Sequence, residues 1–294
     1  MDLSNYLILM SLPSKYLDAF QEIAKSGGFS QATEVLHVSQ SALSQRIKNL
    51  EEEMGLTLFV RTPSGVILTE QGERLLRYCQ TRDSLEEELV QELNASNSFE
   101  VAGTVRIGSY SSVFRSVVVP ALSPLLKKYP NILCEFSCAE VRELPGMLQR
   151  AEVDFVIMDY RLDQANLETE VLGQEKFVVI KSKSFSSRNE IFLDNDRNDK
   201  ATESFFISQK KRAFKYRRSY FGDCYGIIDG VKAGLGRAIM SEHLISGDKS
   251  LQIADEYKPY RRDVVLHYYK QPFYSRLSQI VVDTLKRESK AYLC

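Results

Sequence analysis

The chain has 294 residues, 44% of them hydrophobic, and its 38 Lys and Arg face 39 Asp and Glu for a formal net charge of −1. That length accommodates about two domains with real cores, and the charge balance excludes a basic field over the whole molecule as the source of nucleic-acid affinity. Leu7–Leu12 is too short to cross a membrane and follows no basic segment, so a cytoplasmic chain with no membrane partner is expected.

Residues 1–14 read as an N-terminal extension. Over 15–69 the residues predict helices, a tight turn and a hairpin. In Phe29–Gly55, Ser30 is placed as a helix N-cap, with Ala32, Val35 and Leu36 as the apolar stripe of the helix that follows. His37, Val38 and Ser39 make the turn. Ser39 is the predicted cap of a second helix, whose Leu43, Ile47, Leu50 and Met54 recur at helical spacing and face the core. The opposite side carries Gln40, Ser41, Ser44, Gln45 and Lys48, with Arg46 at its border. Hydroxyls, amides and cations at the start of a second helix suit base edges and phosphates in a DNA groove.

A helical hairpin with a solvated polar face would give the same pattern, and the next residues decide between the two. Leu56–Val60 predicts a strand, Arg61-Thr62-Pro63-Ser64-Gly65 a turn and Val66–Leu68 a second strand. The result is a wing, with Arg61 placed to reach the sugar-phosphate backbone or a minor groove. Between Leu12 and Glu70, five basic residues meet seven acidic ones, a net of −2. The few cations must therefore cluster on the DNA face with Glu51–Glu53 directed away, and the site should need two copies.

The run SQSALSQRIKNLEEEMGLTLFVRT, followed by LTEQGERLL and preceded by LDAFQEIAKSGGFSQA, resembles the winged helix-turn-helix of LysR-type transcriptional regulators. The SQRIK wording is similar to the branch sensing basic amino acids. The resemblance implies a promoter operator in double-stranded DNA as partner, a small-molecule effector, self-association as a dimer or tetramer, and contact with RNA polymerase. Gln31 stands beside Ser30, Ser39 and the helix residues above among the expected DNA contacts.

From Thr69 a long helix is predicted, covering 70–93, with Leu75, Cys79, Leu85, Leu89 and Leu93 along one side. Such a stripe wants a partner: a second copy, or alternatively the chain's own C-terminal region. Residues 94–100 read as a polar hinge.

Strands and helices alternate over 101–294. Thr104–Ser109, Ile132–Cys138, Val153–Asp159, Val171–Lys181, Arg237–Met240 and Val264–Tyr269 predict strands. Phe114–Tyr129, Val141–Arg150, Tyr225–Ala233 and Tyr274–Glu288 predict helices. The expected class is α/β: a largely parallel sheet in two lobes, about 101–161 with 265–294 and about 162–264, around a cleft at the strand carboxyl ends. The resemblance implies the same: a two-lobed effector domain like that of periplasmic binding proteins. The candidate effector residues are Ser109, Tyr110, Ser111 and Ser112 in the turn after the first strand, Cys138 and Ala139 after the second, and Ser208, Asp223 and Cys224 at strand ends in the other lobe.

The basic run 210–218 reads as solvated surface balancing nearby acids, with Arg212 or Arg217 available to an effector anion. His37, His243 and His267 are far apart, and no HExxH, phosphate loop or nucleophile elbow is present, so no catalytic residue, metal or cofactor is expected. The five cysteines (79, 134, 138, 224 and 294) are odd in number and scattered, as reduced thiols would be. Cys134 and Cys138 share a strand face, which leaves a thiol-sensing regulator as one alternative. A constitutive DNA-binding protein is another. An exported solute-binding protein is the most distant, for it would need a signal peptide and would leave the first 93 residues without a role.

Overall fold

A computed structural model describes residues 12–63, 65–94, 101–183, 191–209 and 216–294. Most of the extension, the hinge from 95 and residues 210–215 of the basic run lie outside the described residues. The chain divides into two compact units, Met1–Glu100 with Gln149–Glu152 and Val101–Leu148 with Val153–Cys294.

The first unit contains α1 (Ser14–Ser26), α2 (Phe29–Leu36), α3 (Gln40–Met54), β1 (Phe59–Thr62), β2 (Gly65–Leu68) and α4 (Glu70–Asn94). Its core is Phe20, Ile23, Leu43, Leu50 and Leu58, all fully buried. Removing water from such side chains stabilises by about 1.5–3 kcal/mol each. Ser39 caps α3 by accepting from Ala42 N at 3.2 Å. The first cap differs from expectation: Gly28 precedes α2, and Ser30 lies inside the helix without capping it. Phe29 is thereby the first helical residue. Val35 is exposed, so only Ala32 of the expected stripe is buried.

The wing starts later than expected. Arg61 and Thr62 belong to β1, which pairs antiparallel with β2 in the register Thr62↔Gly65. Val66 N donates to Gly27 O at 3.3 Å, tying the wing to the α1–α2 turn. At Gly65 a Cβ would come within 2.6 Å of Gly27 O, so only glycine fits this approach.

Thr69 Oγ1 accepts from Gly72 N at 3.0 Å and caps α4. The first half of α4 buries Leu75, Leu76 and Cys79, and Arg82 pairs with Asp18 of α1 at 2.9 Å. Beyond that anchor Leu85, Leu89, Val90 and Leu93 are exposed.

The second unit contains β3 (Gly103–Ser109), α5 (Ser111–Val113) running through a π-helical turn (Phe114–Val118) into α6 (Val119–Lys128), β4 (Ile132–Cys138), α7 (Leu144–Gln149) and β5 (Phe155–Met158). There follow β6 (Leu167–Ser182), β7 (Ile191–Asp194), α8 (Ala201–Ser208), β8 (Arg217–Tyr220), α9 (Cys224–Lys232), β9 (Ala238–Ser241), α10 (Glu242–Ile245), β10 (Leu251–Ile253), β11 (Tyr260–Tyr269) and α11 (Arg276–Glu288). Among the described residues the main sheet has the order β10-β6-β11-β5-β3-β4, with β9 also on β6.

The sheet is mixed, not largely parallel. β3 runs parallel to β4 and β5, whereas β6 and β11 lie antiparallel to each other, β5 is antiparallel to β11, and β9 and β10 are antiparallel to β6. The reason is that β6 and β11 are long neighbouring strands crossing between the two halves in opposite directions. Their register shifts between Val264 and Val265, opposite Gly173. A Cβ on Gly173 would meet Leu293 Cβ at 2.6 Å, so the crossing leaves space for hydrogen alone.

Each half is buried on both faces of its strands. In the first, Phe155 and Ile157 face the cluster of Val105, Val117, Leu122 and Val281, while Val156 and Met158 face Leu144 and Leu148. In the second, Val178 and Ile180 meet Ile227, Val231 and Met240, and Val179 meets Phe192 and Phe205. Fully buried His267 bonds Thr169 Oγ1 at 3.1 Å and lies 3.1 Å from Tyr160 O. Its burial pushes its pKa below the ordinary histidine value.

Candidate functional site

Burial of Leu43, Ile47 and Leu50 turns the opposite side of α3 outward. There Gln40, Ser41, Gln45 and Lys48 are exposed, and Ser44 and Arg46 are half-buried. Gln45 Nε2 donates to Asn49 Oδ1 at 2.7 Å, and Asn49 Nδ2 donates to Tyr16 OH at 3.1 Å, a relay that orients the Gln45 amide. Ser39, Ser30 and Gln31 are exposed at the starts of α3 and α2. The Arg61 guanidinium lies over the Phe29 ring, 5.3 Å from its centre, which brings the wing arginine beside Ser30.

The acidic run at the end of α3 departs from expectation. Glu51 is turned inward, accepting from Leu58 N at 2.7 Å and Phe59 N at 3.4 Å. Glu52, however, lies 3.5 Å from Lys48 on the same exposed side. Lys48 is therefore partly offset before any phosphate arrives, by a pair that in water contributes under about 1 kcal/mol.

The second unit holds a cavity of about 640 Å³, within the range of small-molecule sites. Its walls come from strand carboxyl ends. Tyr110, Ser111 and Ser112 follow β3, Cys138–Glu143 end and follow β4, and Asp159 follows β5. Across the cavity, Asn195 and Asp196 follow β7, Gly222–Cys224 come after β8, and Ser241 ends β9. Glu175 and Phe177, on the crossing strand β6, form its floor. Ligand sites of open α/β sheets lie at such ends.

A buried network joins the halves behind this cavity. Glu175, 1% exposed, accepts from Tyr110 OH at 2.7 Å and contacts His243 Nε2 at 2.9 Å. His243 Nδ1 lies 2.7 Å from Ser116 Oγ. Burial, followed by the Glu175 charge, pushes the Tyr110 hydroxyl well above its ordinary pKa, so it remains a donor. At the rim, Asp223 caps α9 through Tyr225 N (2.7 Å) and Gly226 N (2.9 Å), and Cys224 Sγ lies 3.6 Å from Ser111 Oγ.

Seven of the nine residues picked from the sequence line the cavity: Tyr110, Ser111, Ser112, Cys138, Ala139, Asp223 and Cys224. Two do not. Ser109 is buried beneath the turn, 1% exposed. Ser208 ends the helix α8 instead of a strand, and its hydroxyl donates to Phe205 O at 2.6 Å. Sequence reasoning missed Asp159, Glu175, Phe177, Asn195, Asp196 and Ser241. A signal existed for Asn195 and Asp196, because they follow the short apolar run Ile191–Leu193 in the way that Tyr110 follows β3.

In the basic run, Arg217 is exposed on β8, while Arg218 pairs with buried Asp194 and is structural. Cys134 and Cys138 sit about 13 Å apart along β4, given about 3.3 Å per residue, and a disulfide needs roughly 4.4–6.8 Å between Cα atoms. Burial raises the Cys134 thiol to about 11 and also raises Cys138 and Cys224, which favours the protonated thiol over the thiolate.

No described helix is long and apolar enough to cross a membrane. Among the described residues no group of three or more His, Cys, Asp or Glu could hold a metal ion.

Comparison with known proteins gives two family matches: the bacterial regulatory helix-turn-helix protein, lysR family, over residues 14–73, and the LysR substrate binding domain over residues 100–290. The HTH-type transcriptional regulator YofA of Bacillus subtilis is 25% identical over 243 residues, 79% of this chain and 82% of that protein. DgdR of Burkholderia cepacia is 28% identical over 258 residues, 85% of this chain and 84% of that one. The match to DsdC of Escherichia coli, 33% identical, is shorter and spans 54% of that protein. Among solved structures, ArgP of Mycobacterium tuberculosis has a TM-score of 0.77 at 20% identity, covering 95% of this chain and 97% of its own. Full-length LysG of Corynebacterium glutamicum with bound effector Arg scores 0.76 at 19% identity, covering 96% and 99%. With a helix-turn-helix and wing matched in the first unit and a substrate-binding domain matched across the second, this chain belongs to the LysR family of bacterial transcriptional regulators.

Proposed function

We propose that this LysR-type regulator reads a promoter operator through two or more copies of α3 and Arg61, and that a small molecule bound in the cleft of the second unit switches the reading. The working division is 15–69 for DNA, 70–93 for self-association, 94–100 as hinge and 101–294 for the effector. The observation that carries the switch is the 640 Å³ cavity, walled by strand ends of both halves and floored by β6, which crosses between them. A ligand touching both halves binds one arrangement better than another, and that difference is the coupling free energy available to the DNA-binding units. A constitutive binder would have no use for such a cleft. The likeness to LysG, solved with Arg bound, supports a small-molecule effector without choosing one. Contact with RNA polymerase and a cytoplasmic location follow from the regulator reading.

Gln45→Ala tests the reading head. Loss of a bidentate amide–base contact removes about 1–3 kcal/mol of discrimination per half-site. Operator affinity should fall at least about tenfold while affinity for scrambled DNA holds, as read by fluorescence anisotropy. Equal losses on both DNAs would reduce Gln45 to a surface residue.

A further inference from the structure

The cleft has an electrostatic character that the sequence did not announce. Among the described residues lining it, Arg142 is the only cationic side chain, whereas seven are carboxylates. Two of those are held by side-chain partners: Asp159 pairs with Arg262, and Glu175 is hydrogen-bonded to Tyr110 and contacts His243 Nε2. The others have no cationic partner among the described residues. Asp196 Oδ1 accepts from Asn198 N at 2.6 Å and Asp199 N at 3.0 Å. Asp199 accepts from Asn195 N at 3.0 Å and Ala201 N at 2.8 Å. These are neutral donors, which leave the charges in place. The turn carrying them is held from below, where Arg218 pairs with Asp194 and donates to Asp199 O at 2.6 Å.

A second observation points the same way. Among the described residues, two buried polar atoms of the cavity wall have no hydrogen-bond partner, Asn195 Oδ1 and Ser241 Oγ, and Ser241 is 1% exposed. They belong to the carboxyl ends of the neighbouring strands β7 and β9, beside the Asp196–Asp199 turn. An amide oxygen only accepts, so it calls for an N–H or O–H from a ligand. Leaving such atoms unpaired is costly, a deficit that a bound donor removes.

We infer that the effector is a small organic cation, bearing an amine or guanidinium group seated between Asn195, Asp196 and Ser241 as the cleft closes. This rests on the proposed effector switch and names its ligand class. A dianion such as a dicarboxylate or phosphate ester meets uncompensated carboxylates in the same space. The other end of the cavity offers the Ser111 and Ser112 hydroxyls and the one cation, Arg142, on the β3 and β4 side, and can take a hydroxyl or one carboxylate, so a plain amine and a basic amino acid share the required chemistry.

The test is titration calorimetry on the full chain with agmatine, L-arginine, succinate and inorganic phosphate at one ionic strength, repeated on Asp196→Asn. Asparagine keeps the oxygen that caps the turn and removes only the charge; thermal unfolding of the free variant checks that its fold persists. Agmatine or arginine should bind saturably, and Asp196→Asn should weaken the interaction about tenfold or more, as expected for loss of a charged hydrogen-bond partner. Binding of arginine alone would add a carboxylate subsite at Ser111 and Ser112. The inference is overturned if neither amine binds, if an anion binds instead, or if Asp196→Asn binds as well as the wild type. An anion that bound and altered operator contacts would overturn it while sparing the switch. Amine binding that left operator contacts unchanged would sink the switch and leave the site.

Discussion

Leu89→Glu should turn the protein into a monomer and remove most of its operator affinity. The first half of α4 is anchored by buried Leu75, Leu76 and Cys79 and by the Arg82–Asp18 pair. Past that anchor Leu85, Leu89 and Leu93 recur every four residues and are 37%, 54% and 76% exposed. A helix that keeps three leucines in water gains about 1.5–3 kcal/mol for each one that a partner covers. In a two-fold interface each residue enters twice, so a glutamate at 89 brings two carboxylates into an apolar seam. Pairing also raises the second half-site contact to an effective concentration of about millimolar, which a monomer forfeits. Sedimentation should show the loss of self-association, and anisotropy an operator affinity near that for nonspecific DNA. A variant that sediments like the wild type would take this stripe out of the interface.

Glu175→Leu should destabilise the second unit by about 2–6 kcal/mol, because it leaves two buried polar groups without their partner at about 1–3 kcal/mol each. Leucine would leave the Tyr110 hydroxyl and the His243 ring, now bonded at 2.7 and 2.9 Å, facing an apolar side chain. Tyr110→Phe removes one neutral donor and should cost less, about 1–2 kcal/mol. Because the two residues share one bond, the double variant should lose less than the sum of the single losses. Urea unfolding followed in the second unit measures all three. A Glu175→Leu protein within about 0.5 kcal/mol of wild type, the range of inert surface changes, would show that the network does not hold the halves together.

What the sequence revealed, it revealed through local rules. The cap Ser39 and the stripe Leu43–Ile47–Leu50 depend on neighbours a few residues apart and are found where those rules place them, whereas the helix after β3 begins at Ser111, inside the expected turn Tyr110–Ser112. Ile132–Cys138 is a strand over the predicted span. The cap of α2 was misplaced because Gly28 and Ser30 both suit a helix start and the choice depends on Phe29 packing near Phe59.

Long-range partners were not legible. Glu175 reads as an ordinary acid in a strand until Tyr110 and His243 are brought to it from 65 and 68 residues away. The direction of β11 against β5 and β6 likewise depends on which distant strands it meets, so the sheet was expected to be more parallel than it is. Ser208 was misassigned because Phe205-Phe206-Ile207 has strand-like composition, while burial of Phe205 and Phe206 against Phe192 and Tyr257 keeps the segment helical.

The central claim is a paired reading head whose geometry answers to a ligand in the cleft. Footprinting on the DNA upstream of the protein's own gene, with and without agmatine or L-arginine, tests it most directly. Two protected half-sites should appear, their centres separated by a multiple of about 10–10.5 base pairs, with a protection boundary that moves when the amine is added. A single protected site, or no sequence-dependent protection at all, would contradict the paired head. Two half-sites whose protection no amine or other small molecule alters would contradict the switch.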